Sequence, residues 1–299
     1  MATIYTQIDS NKRRTFLLIF LFLIFIIGLG WLMSWVFDLV WILPVAVLWA
    51  VFQALISYYY SDQITLAIAG AHKVPRTEPF LALHRIVENL AITAGLPKPS
   101  IWLIADPAPN AFATGRDPKH SAIAITTGLL DLLDKPELEG VIAHEMSHVG
   151  NYDIRLMTIV VVLVGVVALV SDFFLRWSFW GSGRRRDGDS GQIGLILVLV
   201  GIVLAILAPI AATLIQLAIS RKREFLADAT SALMTRYPEG LVEALEKISH
   251  NHQILRHVNR ATAHLYIANP FRAKNIAGLF STHPPIEERI RALRQMISK

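Results

Sequence analysis

His144, Glu145 and His148 stand in the order His-Glu-x-x-His. On a helix, residues four apart lie about one turn apart on one face, so both imidazoles can reach a single ion with Glu145 beside it. That spacing suits zinc. Five residues of this kind also arise by chance on polar helix faces. Here Val141, Ile142, Ala143, Met146 and Val149 surround them, and in such apolar company uncompensated His and Glu are costly to bury. A metal would supply the compensation. Catalytic zinc takes three protein ligands and leaves one position to water, and since the chain has no Cys, the third must come from His, Asp or Glu. Glu224, in Glu224-Phe225-Leu226-Ala227-Asp228, is the candidate. Asp228 lies one turn further along, where it suits an acceptor for a ligating imidazole. Taken alone, the same stretch reads as a charged helix face next to a membrane, after Arg221, Lys222 and Arg223.

Elements must bring these groups together across 80 residues. Asp134 to Glu137, with Pro136 in the first turn, reads as a capping box that opens a helix running through His148. Glu78 to Ala94 reads as an amphipathic helix, and Ser100 to Ile104 and Ser121 to Thr126 as short strands. Long apolar stretches divide the rest. Phe16 to Phe37 and Leu39 to Tyr60 are 22 residues each without a charge, long enough to cross about 30 Å of hydrocarbon as helices. Leu156 to Ser171, with 16 uncharged residues, is a marginal third span, and Gln192 to Ser220, with 29 and Pro209 inside, a fourth. The chain thus divides into a transmembrane hairpin at 1–61, a first part of the catalytic domain at 62–155, a second pair of membrane helices at 156–220, and a second catalytic part at 221–299. Lys12, Arg13 and Arg14 place the N-terminus in the cytoplasm, and parity returns both polar segments there.

With these motifs in view, the sequence resembles the HtpX-type membrane zinc metalloproteases, relatives of the CAAX prenyl endoproteases. The resemblance rests on Asn110-Ala111-Phe112-Ala113-Thr114-Gly115, then the His-Glu-x-x-His block with Asn151 and Asp153, then Glu224 to Asp228, then Ser281-Thr282-His283-Pro284-Pro285 with Arg289. It implies one Zn2+ per chain held by His144, His148 and Glu224, with Glu145 as general base and Asp228, Asn151, Asp153 and Arg289 supporting the ligands. It also implies that Asn110, Ala111, Phe112, Ala113 and Thr114 form an edge strand on which an extended substrate pairs, and that His283 is a transition-state donor. A plain structural hydrogen bond for His283, and a plain salt bridge for Arg289, stand beside these. The implied fold is mostly α with a small β-sheet, four transmembrane or membrane-associated helices and a gluzincin-like protease domain. The implied setting is the bacterial inner membrane, with the active site facing the cytoplasm and damaged or misfolded membrane proteins as substrates.

Composition agrees with the lipid bilayer as a partner. Hydrophobic residues are 54% and charged residues 17% of 299, against about 45–50% and about 25% in soluble proteins, and mean hydropathy is +0.49. The net charge of +5 reads as a topology signal; a nucleic-acid role would want a basic face with stacking aromatics, which is not evident. His72, His84, His120, His250, His252, His257 and His264 read as solvated or structural. Two other functions fit the same residues: processing of one defined membrane or lipidated partner, and a membrane transporter or scaffold with a structural metal. Oligomeric state is left open.

Overall fold

A computed structural model describes residues 4–37, 39–163, 166, 221–251, 253–255, 262, 265–268 and 284–297. Two long helices come first, α1 (Ile4–Phe37) and α2 (Ile42–Ile68). Within them Asp9–Leu32 and Ile42–Ile68 are long and apolar enough to cross a membrane. Both helices outrun the expected spans: α1 starts well before Phe16, and α2 runs on past Tyr60, through the boundary drawn at 61. Phe16, Phe20, Trp31, Trp35, Val40, Trp41, Leu48 and Trp49 are exposed, as apolar side chains facing lipid would be. The inward face of α1 carries Leu18, Phe22 and Ile26, which pack with Ala50 of α2 and with Leu156, Ile159, Val160 and Leu163. Residues 153–163 are helical. Apart from Val166, the rest of the third expected span and all of the fourth lie outside the described residues.

Four short strands follow: β1 (Ala71–Lys73), β2 (Ser100–Ile104), β3 (Ala111–Asp117) and β4 (His120–Thr126). They form a mixed sheet in the order β1-β2-β4-β3, with β2 and β4 parallel and the other pairs antiparallel. Alternation assigns the two faces. Ile101, Ile123, Ile125, Ala111 and Ala113 face helices α3 (Leu81–Ala94) and α5 (Lys135–Gly150). Ile104, Ala122, Ala124 and Phe112 face the end of α2, at Leu66 and Ala69, together with Met157. The sheet therefore sits directly on the membrane helix. Helix α4 (Thr127–Leu132) links β4 to α5. The tight β3–β4 hairpin depends on Gly115, whose φ is +143° and where a Cβ would lie 2.3 Å from the His120 carbonyl oxygen.

Helix α5 starts where the capping box predicts. The Asp134 amide donates to Glu137 Oε2 at 2.8 Å, and the Glu137 amide donates to Asp134 Oδ1 at 3.1 Å. Glu137 also holds Lys247 of α7 (Pro238–His250) at 2.6 Å. From Val141 to Val149 every residue of α5 is buried, enclosed by the sheet, α3, α6 (Arg221–Thr235), α7 and α8 (Ile286–Ile297). Gly140 and Gly240 let α5 and α7 touch backbone to backbone, since a Cβ on Gly140 would lie 2.7 Å from the Leu241 nitrogen. The two polar segments, far apart in sequence, thus build one domain around α5.

Candidate metal centre

His144 and His148 project from α5, and Glu224 from the first turn of α6, all three buried. One donor atom from each lies within 4.8 Å of the others. The two Nε2 atoms are 3.3 Å apart, and Glu224 lies 3.8 Å from His144 Nε2 through Oε2 and 3.6 Å from His148 Nε2 through Oε1. The imidazoles meet edge to face at 88°. Tetrahedral ligands about 2.1 Å from a zinc ion lie about 3.4 Å from one another, close to these separations. Two nitrogens and one carboxylate are also the donor set that borderline-soft zinc accepts.

The opposite nitrogen of each ring meets a buried carboxylate. His144 Nδ1 lies 2.9 Å from Asp228 Oδ1, and His148 Nδ1 lies 3.0 Å from Asp153 Oδ2. Such a contact fixes the ring and its tautomer, turning Nε2 towards the shared centre. Asp228 lies one turn beyond Glu224 on α6, as expected from the spacing. It also takes the buried Arg289 of α8 in a two-point pair, from Nε at 2.9 Å and from Nη2 at 2.6 Å. Burial pushes the Asp228 carboxyl up, but Arg289 and His144 outweigh it and hold the pKa at about 2. Arg289 is in turn raised, as Asp228 overcomes the burial that opposes its charge. For His148 burial again works against the charge, and Asp153 and Glu224 reverse it, lifting the ring to about 9. Glu145 is moved upward by burial, with the two imidazoles and the Ala113 amide working against that.

β3 is an edge strand, as the motif suggested, and its Ala113 comes beside Glu145. The near end of that edge is engaged, however. The Ile267 amide donates to the Ala111 carbonyl at 3.0 Å, and the Asn110 side chain donates to the Ala268 carbonyl at 3.0 Å and accepts from its amide at 3.3 Å. Phe112 and Thr114 point to the other face, Phe112 against Tyr266 and Thr114 against Thr158. Asn151 enters through its backbone carbonyl, which accepts from Asn11, while its own amide caps α5. His283 lies outside the described residues. Among the other histidines, His120 differs from expectation in pairing with an acid, Asp117 at 2.8 Å, but on the exposed surface. His72, His84 and His250 stand apart from the cluster, and His252, His257 and His264 lie outside the described residues.

Sequence reasoning missed Asn11 and the burial of Arg223. Asn11 is 2% exposed and reaches Asp153. Arg223, read with Arg221 and Lys222 as leading into a charged helix face next to a membrane, is buried against Asp153. A signal existed for Asn11. Residues 11, 15, 18, 22 and 26 fall on one helical face, so an asparagine heading a stripe of Thr15, Leu18, Phe22 and Ile26 is turned inward.

Residues 78–297 match Peptidase family M48. Over 299 residues the chain is 46% identical to a Protease HtpX homolog of Caldanaerobacter subterraneus subsp. tengcongensis, covering 98% of each chain. It is 48% identical over 295 residues to one from Dictyoglomus thermophilum, covering 98% of this chain and 95% of that one. A Tropheryma whipplei relative is 47% identical over 292 residues, with 98% of both covered. Among solved structures, the crystal structure of S. mikatae Ste24p is similar at 20% identity and a TM-score of 0.49, covering 93% of this chain and 65% of that chain. On the family match and these whole-length identities, the chain belongs to peptidase family M48 and is a metallopeptidase.

Proposed function

We propose that this chain is a membrane-integral zinc endopeptidase in which His144, His148 and Glu224 hold the metal and Glu145 moves the proton. One observation carries this reading: three buried donors of the right kind lie within 4.8 Å of one another, each imidazole backed by its own carboxylate. When bound, zinc supplies a Lewis acid that brings the pKa of a water towards about 7 and polarises the scissile carbonyl. Glu145, its basicity raised by burial, takes the proton from the attacking water and delivers it to the leaving amine as the carbon–nitrogen bond breaks. Asp228 and Asp153 keep the imidazoles oriented throughout. Arg289 holds Asp228 in place and offsets the negative charge around Glu224, 4.0 Å from its Nη1.

The substrate lies along β3 beyond Ala111, where Ala113 borders Glu145, and main-chain pairing there makes recognition tolerant of sequence. His283, from the segment preceding α8, donates to the developing oxyanion. Lys12 to Arg14 put the domain on the cytoplasmic face of a bacterial inner membrane. The HtpX-type resemblance implies turnover of damaged or misfolded membrane proteins, which we prefer to the processing of one partner, and membership of a peptidase family speaks against a transporter or scaffold with a structural metal.

Detergent-solubilised full-length protein should contain one zinc per chain and cleave casein. Removing zinc with a chelator should stop cleavage, and returning it should restore cleavage. Glu145→Gln should abolish hydrolysis with zinc still bound, because this side chain moves a proton and does not ligate. Cleavage that survives metal removal would refute the reading.

A further inference from the structure

We propose that Asn11, on the first membrane helix, is a positioning residue of the metal centre: it fixes the Asp153 carboxylate that orients His148. This rests on His148 being a metal ligand, as proposed above. Asn11 Nδ2 donates to Asp153 Oδ1 at 2.7 Å and to the Asn151 carbonyl at 3.0 Å, and Asn11 Oδ1 accepts from Arg223 Nη1 at 3.2 Å. A side-chain amide has two donors and one acceptor oxygen, and here each kind is used inside the protein. Arg223 Nε lies 3.2 Å from the same Asp153 Oδ1. That oxygen is therefore held from two sides, leaving Oδ2 to His148 Nδ1 at 3.0 Å. One asparagine thus joins α1 to the end of α5 and, through Arg223, to the residue next to Glu224.

An anchor alone would not need this. A helix that only held the domain at the bilayer would pack through apolar contacts such as those of Leu18, Phe22 and Ile26. A buried asparagine with three polar contacts costs desolvation unless all are satisfied, and these converge on the partner of a ligand. Because an asparagine carries no charge, it can hold Asp153 without competing with His148 for it. An aspartate of the same shape would instead face Asp153 with like charge.

The test is the affinity for Zn2+, read by competition with a chromophoric chelator on the full chain in detergent. All proteins carry Glu145→Gln to prevent self-digestion. Losing a direct support of a ligand costs about 10–100-fold in affinity, so Asn11→Ala, one contact further out, should cost about 3–10-fold. Asn11→Asp should cost more than Asn11→Ala, whereas a purely steric role would leave this isostere like the parent. Asp153→Asn should cost the larger amount, and adding Asn11→Ala to it should cost nothing further, because the effect runs through Asp153. Thr15→Ala alters the same buried face one turn on, where Thr15 Oγ1 donates to the Asn11 carbonyl and to no other group among the described residues, and should leave affinity unchanged. Parent-like affinity in both Asn11 variants, an equal loss in Thr15→Ala, or full additivity with Asp153→Asn would each overturn the inference. If Asn11→Ala does not fold, Asn11→Asp decides alone. A parent that binds no zinc would overturn the metalloprotease reading with it, while a zinc-binding parent with indifferent Asn11 variants sinks this inference only.

Discussion

Replacing Asp228 by Ala perturbs two things at once, and the structure separates them. The first is stability. Asp228 and Arg289 are both fully buried and paired at two points, and breaking such a pair from one side leaves the other charge uncompensated, at about 3–5 kcal/mol. Linkage gives a second figure. A carboxyl held at about 2 instead of about 3.9 contributes about 2–3 kcal/mol at neutral pH, fully present above the unfolded value and lost as pH falls towards 2. Both place the loss near 3 kcal/mol. The second effect is on the metal: without Asp228, His144 Nδ1 has lost the oxygen 2.9 Å away that orients it, so zinc should bind about 10–100-fold more weakly. Glu224→Ala should act in the opposite proportion, removing a ligand and with it nearly all metal binding. Chelator competition and zinc-dependent thermal unfolding, in a Glu145→Gln background, measure both. Undiminished zinc affinity in Asp228→Ala would refute its role at His144, and a larger metal loss there than in Glu224→Ala would mean the two roles are exchanged.

Gly140→Ala should lower the melting temperature by several degrees. Its Cβ would meet the Leu241 backbone at 2.7 Å, and overpacking of this kind costs about 1–3 kcal/mol against a helix-propensity gain of about 1 kcal/mol; an unchanged melting temperature would show slack between α5 and α7. Zinc affinity should rise about tenfold per pH unit from neutrality up to about 9 and flatten above, since zinc must displace the proton that His148 holds until about 9. A pH-independent affinity over that range would contradict the charge pattern around this ring.

Much of the site was legible because its chemistry is local. The His-Glu-x-x-His helix, its capping box and the Glu224–Asp228 turn are each decided within five residues, and helical periodicity does the rest. The strands at Ser100 and Ser121 were readable because short apolar runs between Pro, Gly and Asp have few alternatives. What was not legible is pairing across the chain. Nothing in the sequence says that residues 265–268 lie against Asn110 and Ala111, because two short segments some 155 residues apart carry no common period. The burial of Arg223 was not legible for a related reason. A basic residue after an apolar stretch is normally a topology signal, and only tertiary contact with Asp153 turns it inward. Charge rules count residues, while burial depends on which helical face a residue occupies.

The same contacts constrain topology. Asn11 near the start of α1, Asp153 at the entrance of helical residues 153–163, and Arg223 at the start of α6 meet in one cluster. With α1 and α2 crossing the bilayer as proposed, Asp153 and Arg223 lie on one side of it, the side of Lys12 to Arg14. The end of α2 reaches that side too, since Leu66 and Ala69 pack under the sheet. The same proposal puts residues 39–41, between α1 and α2, on the opposite side. With no native Cys in the chain, single cysteines report this cleanly. Val40→Cys, at an exposed position between the two helices, should react with an impermeant thiol reagent in intact spheroplasts. Lys135→Cys, at an exposed position on α5, should react only after the membrane is opened. Labelling of Lys135→Cys from outside would reverse the orientation of the whole molecule and, because the cluster ties Asn11, Asp153 and Arg223 together, would carry the metal centre across with it.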